Sequence, residues 1–167
     1  MAINQELSNI SSTEPDWSRE QCRRWWDPSR QLLKTIRNYQ RYSTCSGVIA
    51  RLLLKKIVLE HRFWSAVTAA DIPLNCNIGG GLLLPHPTGV VIHPQAVIGP
   101  NCLIFQQVTI VDSVKIQGHV DIGAGAKILD NVILGNHVLV GANALVKNLT
   151  VPEGATVIGI PARVKKK

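Results

Sequence analysis

From Ile92 to Val146 an aliphatic residue stands at every sixth position: Ile92, Ile98, Ile104, Ile110, Ile116, Ile122, Ile128, Leu134, Val140 and Val146. Four residues after each comes a second small or branched residue: Ala96, Cys102, Val108, Val114, Val120, Ala126, Val132, Val138, Ala144 and Thr150. A helix repeats every 3.6 residues and a strand every 2, so neither produces this pattern. A parallel β-helix does. Each flat side of its coil is one short strand plus a corner, and each side sends residues into the axis. The β-branched bias at these inner places suits a pleated, buried surface.

The repeat continues upstream after a shift. Ile72, Ile78 and Leu84 are six apart, with Cys76, Leu82 and Thr88 at the second inner place. From Leu84 to Ile92 is eight residues, so two extra residues interrupt the coil there. Thirteen hexads at three per coil make a little over four coils. Glycine, asparagine and histidine fall at the corners, as in Gly99-Pro100-Asn101, Gly118-His119 and Gly135-Asn136-His137. The fold class expected is mainly β, with a helical segment over residues 1–70 and the β-helix with a closing tail over 71–167.

Within the first seventy residues, the polar stretch 1–15 reads as disordered. Ser18 and Gln21 resemble a capping box, and Asp27-Pro28 marks a helix start with aspartate as the cap. That helix carries Leu32, Leu33, Ile36 and Tyr39 on one face. A third helix is expected from about Gly47 to His61, with Val48, Leu52, Leu53, Ile57 and Val58 as its apolar set. Its Lys55-Lys56 pair admits a membrane-surface helix, but a core-facing helix with solvated lysines is the preferred reading. The helices are expected to cap the first coil. Pro152-Glu153-Gly154 reads as a break in the coil, and the tail from Thr156 to Val164 as its closure.

No apolar run approaches the length of a membrane span, and the start lacks a secretory pattern, so a cytoplasmic protein is expected. Cys22, Cys45, Cys76 and Cys102 have no metal or redox spacing, which agrees with a reducing compartment. The net charge is +7, and residues 1–70 hold eleven Lys/Arg against six Asp/Glu. No nucleic-acid motif accompanies this charge, so a phosphate-bearing small molecule fits better than nucleic acid.

Three stretches carry a family resemblance: Asp71-Ile72-Pro73, Leu84-Pro85-His86-Pro87-Thr88-Gly89, and Gly123-Ala124-Gly125-Ala126-Lys127-Ile128-Leu129. With Gly159-Ile160-Pro161-Ala162-Arg163 they resemble the bacterial serine acetyltransferases, left-handed β-helix enzymes that move acetyl from acetyl-CoA to a hydroxyl. The resemblance covers roughly residues 60–165. It implies that His86, in His-x-Thr-Gly, is the general base, and that Asp71, fifteen residues earlier, orients it. An imidazole titrates near neutrality and can take a hydroxyl proton, while a carboxylate on its other nitrogen fixes the tautomer. The resemblance also places acetyl-CoA, as co-substrate, along Gly123, Ala124, Gly125, Gly141 and Ala142, with Arg163 and the lysine tail near its phosphates. It implies a homotrimer with intersubunit sites. The family's N-terminal domain that joins two trimers is longer than this segment, so a trimer is expected rather than a hexamer.

Two departures stand out. The family carries an aspartate just before the base, where this chain has Pro85. It also carries a glycine-rich loop ending in Arg-His, whereas here Thr109 to Ile116 runs straight through in hexad phase. The family grips serine with these groups, so free serine is expected to be a poor acceptor, and a sugar or a capsule or antibiotic intermediate a better one. Lys115 is a candidate replacement for the lost cation. Other readings stay open: a true serine O-acetyltransferase of cysteine biosynthesis, a non-catalytic trimeric assembly module, or a zinc-dependent lyase like the gamma carbonic anhydrases. His119 and His137 stand one coil apart, with Asn101 expected below and Asn143 above, but zinc needs a third ligand and none is in place. No metal is expected. His61 and His93 belong to no recognisable constellation.

Overall fold

The computed structural model describes residues 10–165. All thirteen residues of the first inner set, from Ile72 to Val146, are no more than 4% exposed. They line the axis of three parallel sheets of five, five and four strands, each strand only two to four residues long. In the last rung of one sheet, Thr156–Gly159 pairs antiparallel with Ala162–Val164, and this hairpin closes the top. The result is a left-handed parallel β-helix of about four coils. The chain turns its corners at Asn101, Gln107, Ser113, His119, Gly125, Asn131, His137 and Asn143, six residues apart, with φ from +47° to +72°. That left-handed region tolerates glycine and, next, asparagine, aspartate and histidine, which explains much of the corner composition.

The rung length is not constant. Ile78 pairs with Ile98, a rung of 20 residues. Thr109 pairs with Lys127 and Lys127 with Leu145, rungs of 18. Ile133 pairs with Thr150 and Leu139 with Thr156, rungs of 17. These changes displace two predicted inner residues. Thr88 is exposed and Val90 fills the axis instead; Thr150 is exposed and Val151 points inward. Pro152-Glu153-Gly154 is one more corner rather than a break, since Gly154 has φ +66° and Val157 pairs in parallel with Val140 beyond it. The 17-residue rung also puts Gly154, not Asn143, above His137, through the Gly154 N–H to Asn136 C=O bond.

Two helices cover the lower end: α1 (Pro28–Tyr42) and α2 (Val48–Thr68). Leu32, Leu33 and Ile36 of α1 and Trp64 of α2 join the same buried cluster as the first-coil residues Ile72, Leu82 and Leu84. Arg37 fastens the cap. Its guanidinium donates to both Glu20 oxygens at 2.9 and 2.8 Å and to the carbonyls of Ile78 and Gly79 at 2.6 Å each. Glu20 also accepts the Leu82 N–H at 3.0 Å. One buried ion pair thus ties a short 3₁₀ turn (Trp17–Glu20), α1 and the first coil together.

Several local expectations change. Residues 10–15, read as disordered, include Ser11 and Glu14, whose carbonyls accept from the Asn101 side-chain amide at 2.7 and 2.8 Å. Residues 1–9 lie outside the described residues. Asp16, not Ser18, caps the 3₁₀ turn, accepting the Ser18 N–H at 3.0 Å. Asp27 stands at the α1 N-cap position without a capping bond, because Arg23 takes its carboxylate at 3.2 Å. Helix α2 runs seven residues past His61, and its buried stripe is Ala50, Ile57, His61, Trp64 and Thr68. Val48 and Leu52 face outward, 73% and 61% exposed. No helix among the described residues is long and apolar enough to cross a membrane.

Candidate active site

The two extra residues of the first rung are concentrated at one corner. The Gln107 N–H bonds Thr88 C=O, Gly125 N–H bonds Gln106 C=O, and Asn143 N–H bonds Ala124 C=O. Thr88, Gln106, Ala124 and Ala142 therefore form one column, climbing a coil at a time. Between the inner residue and this column each upper coil has a single residue: Phe105, Gly123 or Gly141. The first coil has three, Pro85-His86-Pro87, because Leu83 still bridges to Leu103. The insertion is a bulge with His86 at its centre, and His86 is exposed.

Past Phe105 and Gln106 in the coil directly above the bulge, the next two coils carry only glycine and alanine before the turn. A Cβ on Gly123 would lie 2.6 Å from the Ala142 backbone nitrogen, and one on Gly141 would lie 2.7 Å from an Ile158 methyl. Gly125 has φ +72° and would bring a Cβ against Asn143. Small residues here keep the coils closely stacked and leave main chain accessible. Arg163 is exposed on the closing hairpin, paired with Ile158 at the top of the same sheet. Lys166 and Lys167 lie outside the described residues.

Asp71 lies on the adjoining edge of the first coil. Its N–H donates to Val90 C=O at 2.8 Å, and Gly89 N–H donates to Ala69 C=O at 2.8 Å, so the end of the bulge is laced to the segment that carries Asp71. Its side chain is exposed, and no hydrogen bond joins it to His86 among the described residues. The Asp71 carboxylate also reaches the field of His61, whose proton affinity is lowered chiefly by burial and partly restored by a bond to Ile72 and by Asp71. His61 itself is a packing residue, its Nδ1 2.9 Å from the Thr35 hydroxyl.

Beside Pro85 lies a cavity of about 240 Å³ lined by Arg19, Arg23, Asp27, Ser29 and Arg30 together with first-coil residues. Arg23 binds Asp27, and Arg30 stands 3.9 Å from the same carboxylate. Arg19 keeps Nε and Nη1 buried without a hydrogen-bond partner among the described residues, and burial depresses its proton affinity. Gln106, one coil above Thr88, likewise buries an unpartnered Oε1. Sequence reasoning missed both. The only signal for Gln106 was its place in the hexad register, and Arg19 had none. Lys115 is on a different sheet, in register with Val97 and Ile133, and does not face the His86 corner of its own chain.

His119 and His137 do stack, Nδ1 to Nδ1 at 2.7 Å with rings edge to face. At that spacing one nitrogen donates and the other accepts, so the pair holds at least one neutral ring. Burial lowers the proton affinity of His119, His137 and Arg19 lower it further, and Asp121 opposes them. Asp121 is itself pushed up by burial. No group of three His, Cys, Asp or Glu among the described residues is placed to hold a metal ion. Cys76 and Cys102 are buried at inner places, where burial pushes both thiols up to about 12.

A prism of hexapeptide rungs, with a histidine on a bulge below a glycine–alanine corner, defines a β-helix protein of the hexapeptide-repeat acyltransferase class. No protein-family model matches the chain. It is 36% identical over 159 residues to a serine acetyltransferase of Staphylococcus xylosus, covering 84% of this chain and 72% of that one. It is 39% identical over 106 residues to the serine acetyltransferase of Synechococcus elongatus, covering 59% of this chain but only 43% of that one. Among solved structures, serine acetyltransferase from Brucella abortus superposes with a TM-score of 0.68 at 30% identity, covering 86% of this chain and 61% of that one. A serine acetyltransferase in complex with CoA superposes at 0.67 with 29% identity, covering 84% and 58%. The chain belongs to the serine acetyltransferase family. It spans less than half the length of some relatives it matches.

Proposed function

We propose that the chain transfers an acetyl group from acetyl-CoA to the hydroxyl of a small acceptor, with His86 as general base and Asp71 as its orienting carboxylate. The observation that carries this reading is the corner itself, where an exposed histidine bulges beneath a column kept small by Gly123, Ala124, Gly125, Gly141 and Ala142. His86 takes the proton of the acceptor hydroxyl as its oxygen attacks the thioester carbon. A tetrahedral intermediate forms. Its collapse breaks the carbon–sulfur bond, and the departing thiolate receives the proton from His86, giving the acetyl ester and free CoA. The Gly/Ala column holds the pantetheine arm against exposed main chain, and Arg163 supplies a cation for the phosphates. The CoA complex of a structural neighbour supports the donor assignment.

The acceptor is a hydroxyl compound other than free serine. Pro85 supplies no carboxylate for an ammonium group, and residues 109–116 supply no Arg-His grip. The cavity beside Pro85 carries three guanidinium groups and a single carboxylate already engaged by arginine, which is a different polar lining. Two lost charge-assisted contacts at about 1.5–3 kcal/mol each weaken serine recognition by roughly two to four orders of magnitude. The working unit is a homotrimer with sites between subunits, in a cytoplasmic setting. Steady-state release of CoA thiol with serine, neutral sugars and hydroxylated acyl compounds tests the reading. A serine KM in the ordinary millimolar range with many turnovers per second overturns the acceptor assignment. No release with any acceptor overturns the transfer itself. A molar mass near 18.3 kDa in light scattering overturns the trimer.

A further inference from the structure

Helix α2 has two apolar faces, and the fold uses one. Ala50, Ile57, His61, Trp64 and Thr68 pack inward. On the opposite side stand Val48, Leu52, Leu59 and Phe63, spaced i, i+4, i+11 and i+15 and therefore on one face at 3.6 residues per turn. Their exposures are 73%, 61%, 66% and 51%. The strip is flanked by Arg51, Lys55 and Arg62 along one border and Lys56 along the other. The single carboxylate of the helix, Glu60, is 3.5 Å from Lys56. Arg51, Lys55 and Arg62 make no ion pair among the described residues.

The apolar strip continues into aromatic residues from the chain before α1. Trp26 packs edge-on against Trp64 at 5.5 Å, Trp25 lies 5.6 Å from Trp26, and Phe63 lies 5.0 Å from Trp64. Trp25 is 76% exposed and Trp26 47%, next to the exposed Arg23 and Arg24. Indole rings with one polar edge favour the boundary between hydrocarbon and water, and arginine and lysine favour anionic headgroups.

We infer that the outward face of α2, with Trp25 and Trp26, docks on an anionic lipid bilayer and lies flat in its interface. The helix is 21 residues long and carries an apolar strip bordered by cations, the pattern of an interfacial helix rather than a spanning one. Charge selects this occupant over a second copy of the face. A self-complementary contact sets the same patch against itself, so Arg51, Lys55 and Arg62 would meet their own kind. Docked this way, the enzyme meets its acceptor at a membrane surface. This last step rests on the proposed acetyl transfer, whereas the docking does not.

The test uses the full chain and flotation with vesicles of phosphatidylcholine, with and without phosphatidylglycerol. The chain is expected to float with the anionic vesicles and to shift its tryptophan emission to the blue. Lys55→Gln with Lys56→Gln weakens the partition roughly tenfold or more. Leu59→Gln with Phe63→Gln does the same, although both sites are exposed and the melting temperature holds. Wild-type protein that stays off anionic vesicles at low salt overturns the proposal, as does binding unchanged in both double variants. A smaller molar mass for Leu59→Gln with Phe63→Gln, measured without lipid, also overturns it and assigns the face to another copy. Acetyl transfer by the unbound enzyme is read separately, so failure of either idea leaves the other standing.

Discussion

The first coil and the coils above it are made from the same hexads but do different work. From Val91 upward the rungs are 18 residues long until the last, which shortens to 17, the inner residues are buried and the corner at Gly123 and Gly141 is bare. The first rung is 20 residues long, bulges at His86, and is covered by two helices and a buried ion pair. Regular rungs build a rigid scaffold on which one extended substrate can lie along several identical steps. Chemistry needs a place where that identity is broken, because a reactive side chain must leave the stack to meet a substrate. In the proposed mechanism the donor follows the regular part and the base and acceptor use the irregular part.

The sharpest way to break this division is at the bulge. His86→Ala should fold and bind CoA yet lose about two to four orders of magnitude in turnover, the usual worth of a general base. Asp71→Asn should cost less, since the base remains. The check is kcat on an accepted hydroxyl compound, with CoA affinity measured by calorimetry. Near-full activity in His86→Ala would remove the bulge from the mechanism.

The cap comes next. Arg37→Ala leaves the Glu20 carboxylate buried beside Leu82 without its partner, at 7% side-chain exposure. Removing one member of a buried pair costs about 3–5 kcal/mol. Urea unfolding followed by tryptophan fluorescence should show the loss. If the coils unfold independently of the helices, the transition splits, and the first coil is then a separate cooperative unit rather than the foot of one prism.

The groove should respond more mildly, and through packing. Gly123→Ala pushes a methyl to 2.6 Å from the Ala142 nitrogen, so backbone must shift. Overpacking of this kind costs about 1–3 kcal/mol, and the KM for acetyl-CoA should rise with it. Thr88→Ala, on the exposed bulge, should stay within about 0.5 kcal/mol in stability. Melting temperatures and donor KM values for the two variants compare the regular and irregular corners directly.

The same contrast decides what the sequence alone makes legible. Inner residues such as Ile110 and Ile128 were legible because the axis admits one kind of side chain at one spacing. Thr88 and Thr150 were misplaced because counting by six cannot locate where two residues are added or one removed; backbone pairing settles that. Val48 and Leu52 misled because α2 is apolar on both sides, and only tertiary packing chooses which side turns inward. The order of residues 10–15 depends on Asn101, some ninety positions away in the chain, a contact no local pattern carries. His86 and Asp71 are candidates through the family resemblance of the motifs that hold them, whereas Arg19 and Gln106 carry no motif and emerge only from burial.

The smallest expected effect is on pH dependence, at the corner that holds His119 and His137. His119 holds the left-handed corner with φ +53° and faces His137 at 2.7 Å. Burial, then the neighbouring His137 and Arg19 charges, lowers its proton affinity from the ordinary 6.5 despite Asp121, and burial does the same to His61. A depressed folded-state value means that the unfolded chain binds more protons below about pH 6.5, so stability falls as the pH drops through that range and is retained above it. Asp121, whose proton affinity burial raises, acts with the opposite sign nearer the carboxylate range. His119→Asn isolates the imidazole, because asparagine accepts the left-handed corner, as Asn101 does one coil below. Urea midpoints at pH 7.5 and 5.5 should differ in the wild type and differ less in His119→Asn. An equal difference in both proteins would place the whole pH dependence on His61 and the helical cap, and leave the histidine pair with packing alone.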